Sequence, residues 1–205
     1  MKNTVKAAFF GTALAALMLP AFAQTTPVPE PPQQNSSISG RKDNQQDRIG
    51  QGIENGSLTP EEATRLEHKE SKINREEHNM RKADDGHLTA ADRAKIDAQQ
   101  SKLSKQIYNQ KHDAQTVANQ NPTNPVNRRE DHEQDRIGRG VANGSLTPGE
   151  AAHLERNQSR IDNEVAKDRA ANGGSLTSQE RQQVRSQENR QSRNIYRAKH
   201  NNRRQ

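Results

Sequence analysis

The chain has no cysteine and no tryptophan, and only two tyrosines and three phenylalanines among 205 residues. Without thiols it has no disulfides, thiolate metal sites, cysteine nucleophiles or lipid-modified cysteine. Apolar residues make up 27% of the sequence against 28% charged. From Gln24 onward Phe is absent and the larger apolar side chains fall to about 14%. Burial on that scale does not offset the conformational entropy of a thick globular core, and it argues against an enclosed catalytic pocket. The remaining choices are disorder or long, thin helices that share a narrow apolar seam.

The one long apolar run lies at the N-terminus. Lys2 and Lys6 precede uncharged residues Ala7 to Leu19, followed by Pro20 and the small-residue triplet Ala21-Phe22-Ala23. This order is that of a secretory signal peptide over residues 1–23, with cleavage expected before Gln24. The run is too short to span a bilayer about 30 Å thick at about 1.5 Å per residue. The sequence therefore predicts a periplasmic or secreted protein. Prolines 27, 29, 31 and 32 then mark residues 24–40 as a disordered tether.

The rest is duplicated. Residues 46–113 slid by 88 positions onto 134–201 match without a gap, and nearly half of the aligned pairs are identical. QDRIGQGIENGSLTPEEA answers QDRIGRGVANGSLTPGEA, and Ile107-Tyr108 with Lys111-His112 answers Ile195-Tyr196 with Lys199-His200. The Gly-x-Leu-Thr turn also recurs within each half, at Gly56, Gly86, Gly144 and Gly174. The glycine ends one helix in the left-handed conformation, and the threonine caps the next. A carboxylate at the third helical position (Glu62, Asp92, Glu150 or Glu180) closes a capping box. Pro60 and Pro148 fit the first turn.

The expected fold is thus all-α: two tandem copies of a three-helix unit, each a short helix plus a long helical hairpin, with a disordered tether and linker. The predicted helices are 43–54, 60–84 and 90–113 in repeat 1 (41–113), then 131–142, 148–171 and 178–201 in repeat 2 (131–205). Residues 114–130, containing Pro122 and Pro125, form the linker. Leu66, Ile73 and Met80 make one seven-residue seam; Ile96, Leu103 and Ile107 make another. Leu154, Gln158, Ile161 and Val165 follow in the second half, but Leu103 is answered by Gln191. Seams this sparse leave isolated hairpins marginal, so self-association or a protein partner is expected to complete the core.

Catalytic and metal chemistry find no seat in the sequence. The turn shares the Gly, apolar residue and carboxylate of the back half of an EF-hand, but Arg81, Arg139 and Arg169 stand where the first oxygen ligand should be. No histidines are paired at i, i+4, and no phosphate loop or nucleophile elbow is present. The carboxylates read as solvated, with no buried pair among them. The sequence therefore predicts no catalytic residues, no cofactor, no metal and no small-molecule substrate. Charge is more informative. The chain carries a net charge of +6, and from Arg181 onward eight basic residues (Arg181, Arg185, Arg190, Arg193, Arg197, Lys199, Arg203 and Arg204) face Glu188 alone. Such a segment can hold a polyanion, whether DNA, lipopolysaccharide or an anionic membrane surface.

The pattern QDRIxxGxxxGSLTxxE…IYxxKH, present twice, resembles that of small exported proteobacterial helical repeat proteins, a likeness that implies no activity. The Leu-Thr helix starts are more loosely similar to the LTxxQ motif of the Spy and CpxP periplasmic stress proteins, which are helical chaperones. Here Glu62, Asp92, Glu150 and Glu180 stand where that motif has Gln. The functional expectation is a non-enzymatic envelope-associated binding or chaperone-like module, with polyanion binding through the basic C-terminal segment as the alternative.

Overall fold

A computed structural model of the chain describes residues 37–117 and 124–203. The signal peptide, most of the proline-rich tether, residues 118–123 of the linker, and Arg204 lie outside the described residues. Among the described residues all regular structure is helical: α1 (Ile38–Glu54), α2 (Pro60–Ala83), α3 (Ala90–Lys111), α4 (Pro125–Ala142), α5 (Pro148–Ala171) and α6 (Ser178–Lys199).

Local chemistry accounts for the boundaries. All four expected capping boxes form. Thr59 Oγ1 accepts from the Glu62 amide while Glu62 Oε2 accepts from the Thr59 amide at 2.9 Å, and Thr89, Thr147 and Thr177 repeat the pairing with Asp92, Glu150 and Glu180. Gly56 and Gly144 adopt φ of +70° and +68°, the left-handed turn that frees the chain from α1 and α4. Two helix starts differ from the sequence reading. Helix α1 begins five residues before the expected 43, inside the span assigned to the tether, because Ser37 Oγ accepts from the Gly40 amide and supplies a cap. Helix α4 begins at Pro125, inside the span assigned to the linker. Asn124 caps it, and Pro125 takes the first helical position, where no amide is needed.

The tertiary arrangement places α1 against α4 and α2 against α5, so the two halves meet over four inner helices. Helix α3 lies outside on α1 and α2, and α6 lies outside on α4 and α5. The contact between halves has approximate twofold symmetry, because residues at matching positions meet. A Cβ built on Gly50 would lie 2.7 Å from the Gly138 carbonyl oxygen, and one on Gly138 would lie 2.7 Å from that of Gly50. The α1–α4 crossing therefore depends on glycine at both positions. Lower on the axis, Arg156 Nη2 donates to His68 Nε2. Glu61 accepts from Ser159 Oγ at 3.2 Å, and at the mirrored place a Cβ on Gly149 would sit 3.6 Å from Ser71 Oγ.

This packing completes the sparse seams within the one chain. One continuous core runs from Ile49, Ile53, Leu58, Leu66, Ile96, Leu103 and Ile107 of the first half to Ile137, Val141, Leu146, Leu154 and Ile195 of the second. The surface that isolated hairpins lack is supplied by the other half of the same chain. Leu58 and Leu146 fold back onto Gly52 and Gly140, whose missing side chains make the room. Gln191, in place of Leu103, is buried and donates from Nε2 to the Leu154 carbonyl at 2.8 Å. A second cluster of Val126, Ile161, Val165, Leu176 and Val184 closes the far end of the second half.

Candidate functional site: the outer face of α6 and the buried carboxyls

The duplication fixes the inward face of α6 through Val184, Glu188, Gln191 and Ile195, all buried. Arg185, Arg190, Arg193 and Arg197 consequently point away from the core. All four are exposed, and none makes a hydrogen bond or ion pair with any described residue. The two acids of α6 are engaged by other groups, although Arg185 lies within electrostatic reach of Glu188. Glu180 is held in its capping box and by Asn172 Nδ2. Glu188 is buried and pairs with Arg129 Nε at 3.0 Å. The outer face of α6 therefore carries an excess of positive charge. At the matching positions, α3 has Asp97, Lys102, Lys105 and Asn109, so its outer face carries less positive charge than that of α6.

The other basic residues expected at this site are placed differently. Arg181 turns back on the helix start, donating to the Leu176 carbonyl and to Ser178 Oγ. Lys199 crosses to α4 and donates to the Arg136 carbonyl at 2.9 Å, as Lys111 donates to the Arg48 carbonyl of α1 at 3.1 Å. Partial burial, with Arg136 and Arg139 nearby, holds the Lys199 ammonium below the ordinary lysine range. Arg203 lies 3.8 Å from Glu150 at the end of an open cleft of about 450 Å³ that Arg197, His153 and Asn194 also line. The structure thus reduces the basic segment to a four-arginine face bordered by open clefts. Tyr196, the one exposed large hydrophobic side chain among the described residues, stacks on His200 beside Arg197, with ring centroids 4.1 Å apart.

The carboxyl groups depart furthest from the sequence reading. Glu67, Glu70, Glu130, Glu133, Glu155 and Glu188 are buried, not solvated. Glu67 and Glu155 occupy matching positions and lie within electrostatic reach of each other between the halves. Each accepts on Oε2 from a glutamine of the preceding helix at 3.2 Å, Gln46 for Glu67 and Gln134 for Glu155. Burial is the main cause that pushes the Glu67 carboxyl well up, and it drives Glu155 to about 8, so Glu155 is mostly a neutral acid at neutral pH. Burial likewise lifts Glu130 and Glu133 to about 8, and Glu70 and Glu188 to about 7. Such groups cost far less in a core while protonated than once ionised.

The signal for this was faint but present. Between positions 64 and 72 the two copies share only Leu66, Glu67 and Ser71, so a glutamate was retained next to the core leucine where most neighbours diverged. Its partner lies 88 residues away, which no local periodicity reveals. Among the described residues no group of three or more His, Asp or Glu is placed to hold a metal ion, and no helix is long and apolar enough to cross a membrane. No family model, no curated protein and no solved structure matches the chain.

Proposed function

We propose that this is an exported, non-enzymatic binding protein whose ligand is a phosphate-rich polyanion held on the outer face of α6. The observation that carries the reading is the set of four exposed arginines, Arg185, Arg190, Arg193 and Arg197, with both acids of the same helix already engaged. Guanidinium groups pair bidentately with phosphate, and a rigid helix presents them at small entropic cost. The export assignment rests on the charged, apolar and small-residue regions of residues 1–23.

The chaperone-like reading has less support. It would use the apolar seams as a client surface, whereas Leu66, Ile96, Leu103, Ile107 and Leu154 lie inside the core. Client capture would require the halves to separate.

The test is binding of duplex DNA and of anionic vesicles by the full chain across a salt series. Four phosphate contacts on DNA predict about a hundredfold loss of affinity between 50 and 200 mM salt. Replacing the four arginines by Gln should abolish binding without changing helix content, because none of them packs inward. Binding that is insensitive to salt, or that survives the replacement, refutes the proposal.

A further inference from the structure

The face that joins the two halves has the properties of a homodimer interface enclosed within one chain. Matching residues meet across it at Gly50 with Gly138 and at His68 with Arg156, and Glu61 with Ser159 mirrors Gly149 with Ser71. A contact built in this way is self-complementary. It is continuous with the main core, and the covalent link between the halves is only the segment from His112 to Asn124. Nothing in the contact requires that its two sides come from one molecule.

We infer that the face also takes a second copy of this chain, by exchange: the first half of one molecule packs on the second half of another, giving a reciprocally swapped dimer. Such a dimer uses the contacts already seen and needs no new surface. The balance between the closed monomer and the swapped pair is set by protein concentration and by the effective concentration that the linker imposes. Once the Val117 amide releases the Gly56 carbonyl, which it meets at 3.0 Å, a segment from 112 to 124 extended at about 3.4 Å per residue reaches about 40 Å.

Divergence between the copies selects which halves meet. Arg139 of the second half lies 3.8 Å from Glu54 of the first, and Arg156 of the second donates to His68 of the first. The Arg156 guanidinium only donates, so His68 Nε2 accepts and its proton sits on Nδ1. Slight desolvation and the neighbouring Arg156 and Arg75 hold the His68 imidazole below its ordinary range, in keeping with a neutral acceptor. If two second halves met, Arg156 would face Arg156, and each Arg139 would face Ala142 in place of Glu54. A closed dimer built from like halves needs one such pair, so the unlike pairing is the one that closes well.

The absence of cysteine makes the test clean. His68 and Arg156 are both exposed, so His68→Cys and Arg156→Cys change little inside. A full chain carrying both should be bridged within one molecule by a short bifunctional thiol reagent. Chains carrying one cysteine each, mixed, unfolded and refolded together, should give a covalent dimer. Its ratio to monomer should rise about tenfold for each tenfold rise in protein concentration while dimer is the minor species. Each single-cysteine chain refolded alone should give little. Failure of the double variant to bridge overturns the geometry. A double variant that bridges while the mixture yields no more dimer than the separate chains overturns the exchange. Dimer from His68→Cys alone, at the yield of the mixture, overturns the pairing of unlike halves.

Discussion

Glu155 links the packing between the halves to a measurable pH dependence. Its side chain is fully buried, with Gln134 on one oxygen, and burial holds it at about 8, against an ordinary value of 4.5. Between those two pH values the folded chain keeps a proton that the unfolded chain has released, so stability must fall as pH rises. The contribution is complete below about pH 4.5 and is lost by about pH 8. At about 1.4 kcal/mol per pH unit the interval sets a ceiling near 5 kcal/mol, of which about 3 is already lost at pH 7. Water penetration and local relaxation lower such figures, and about 2 kcal/mol is the expected yield. Glu155→Gln keeps an oxygen to accept from Gln134 and never ionises. It should therefore match the parent at pH 5 and exceed it by about 2 kcal/mol at pH 8. With two tyrosines and no tryptophan, urea unfolding followed by far-ultraviolet circular dichroism from pH 5 to 9 is the appropriate assay. Glu67, Glu130 and Glu133 are raised in the same sense, so the parent should lose stability more steeply than one proton allows, and the variant should flatten the slope by about one. Glu76, Asp92 and Glu180 are lowered by their hydrogen bonds and act only in acid, outside this window. A parent whose stability is flat or rises from pH 5 to 8, or a variant whose curve runs parallel to it, refutes the reasoning.

Three further outcomes follow from the packing. Gly138→Ala places a Cβ 2.7 Å from the Gly50 carbonyl oxygen, and it should cost about 2 kcal/mol in urea unfolding although alanine is by itself the better helix former. Thr147→Ala removes the cap of α5 and the acceptor of the Glu150 amide, and a loss of about 1 kcal/mol is expected in the same assay. Gln191→Leu restores the residue found at Leu103. It removes the buried, unpartnered Gln191 Oε1 and should raise the thermal midpoint, with a gain of about 1 kcal/mol.

The helices were legible in the sequence because their signals are local. Thr59 with Glu62, Thr147 with Glu150, and the left-handed Gly56 and Gly144 act within a few residues of one another, and all four capping boxes stand where the repeated turn put them. The starts of α1 and α4 were less legible, because Ser37 and Asn124 cap from inside stretches whose prolines suggested irregular chain. Of the candidate site, the sequence supplied the charge but not its sorting. Only the fold turns Lys199 onto the Arg136 carbonyl and leaves Arg185, Arg190, Arg193 and Arg197 free to solvent.

By itself, then, the sequence determined the helical class, the caps, the duplication and the excess of positive charge at one end, each carried by contiguous residues or by simple repetition. Tertiary structure decided what each helix faces. It brought Gly50 onto Gly138, buried Glu67 beside Glu155, and joined two seams, each too sparse to stand alone, into one core. Those outcomes depend on residues 88 positions apart, and an individual glutamate carries no local mark of whether water or another helix will cover it.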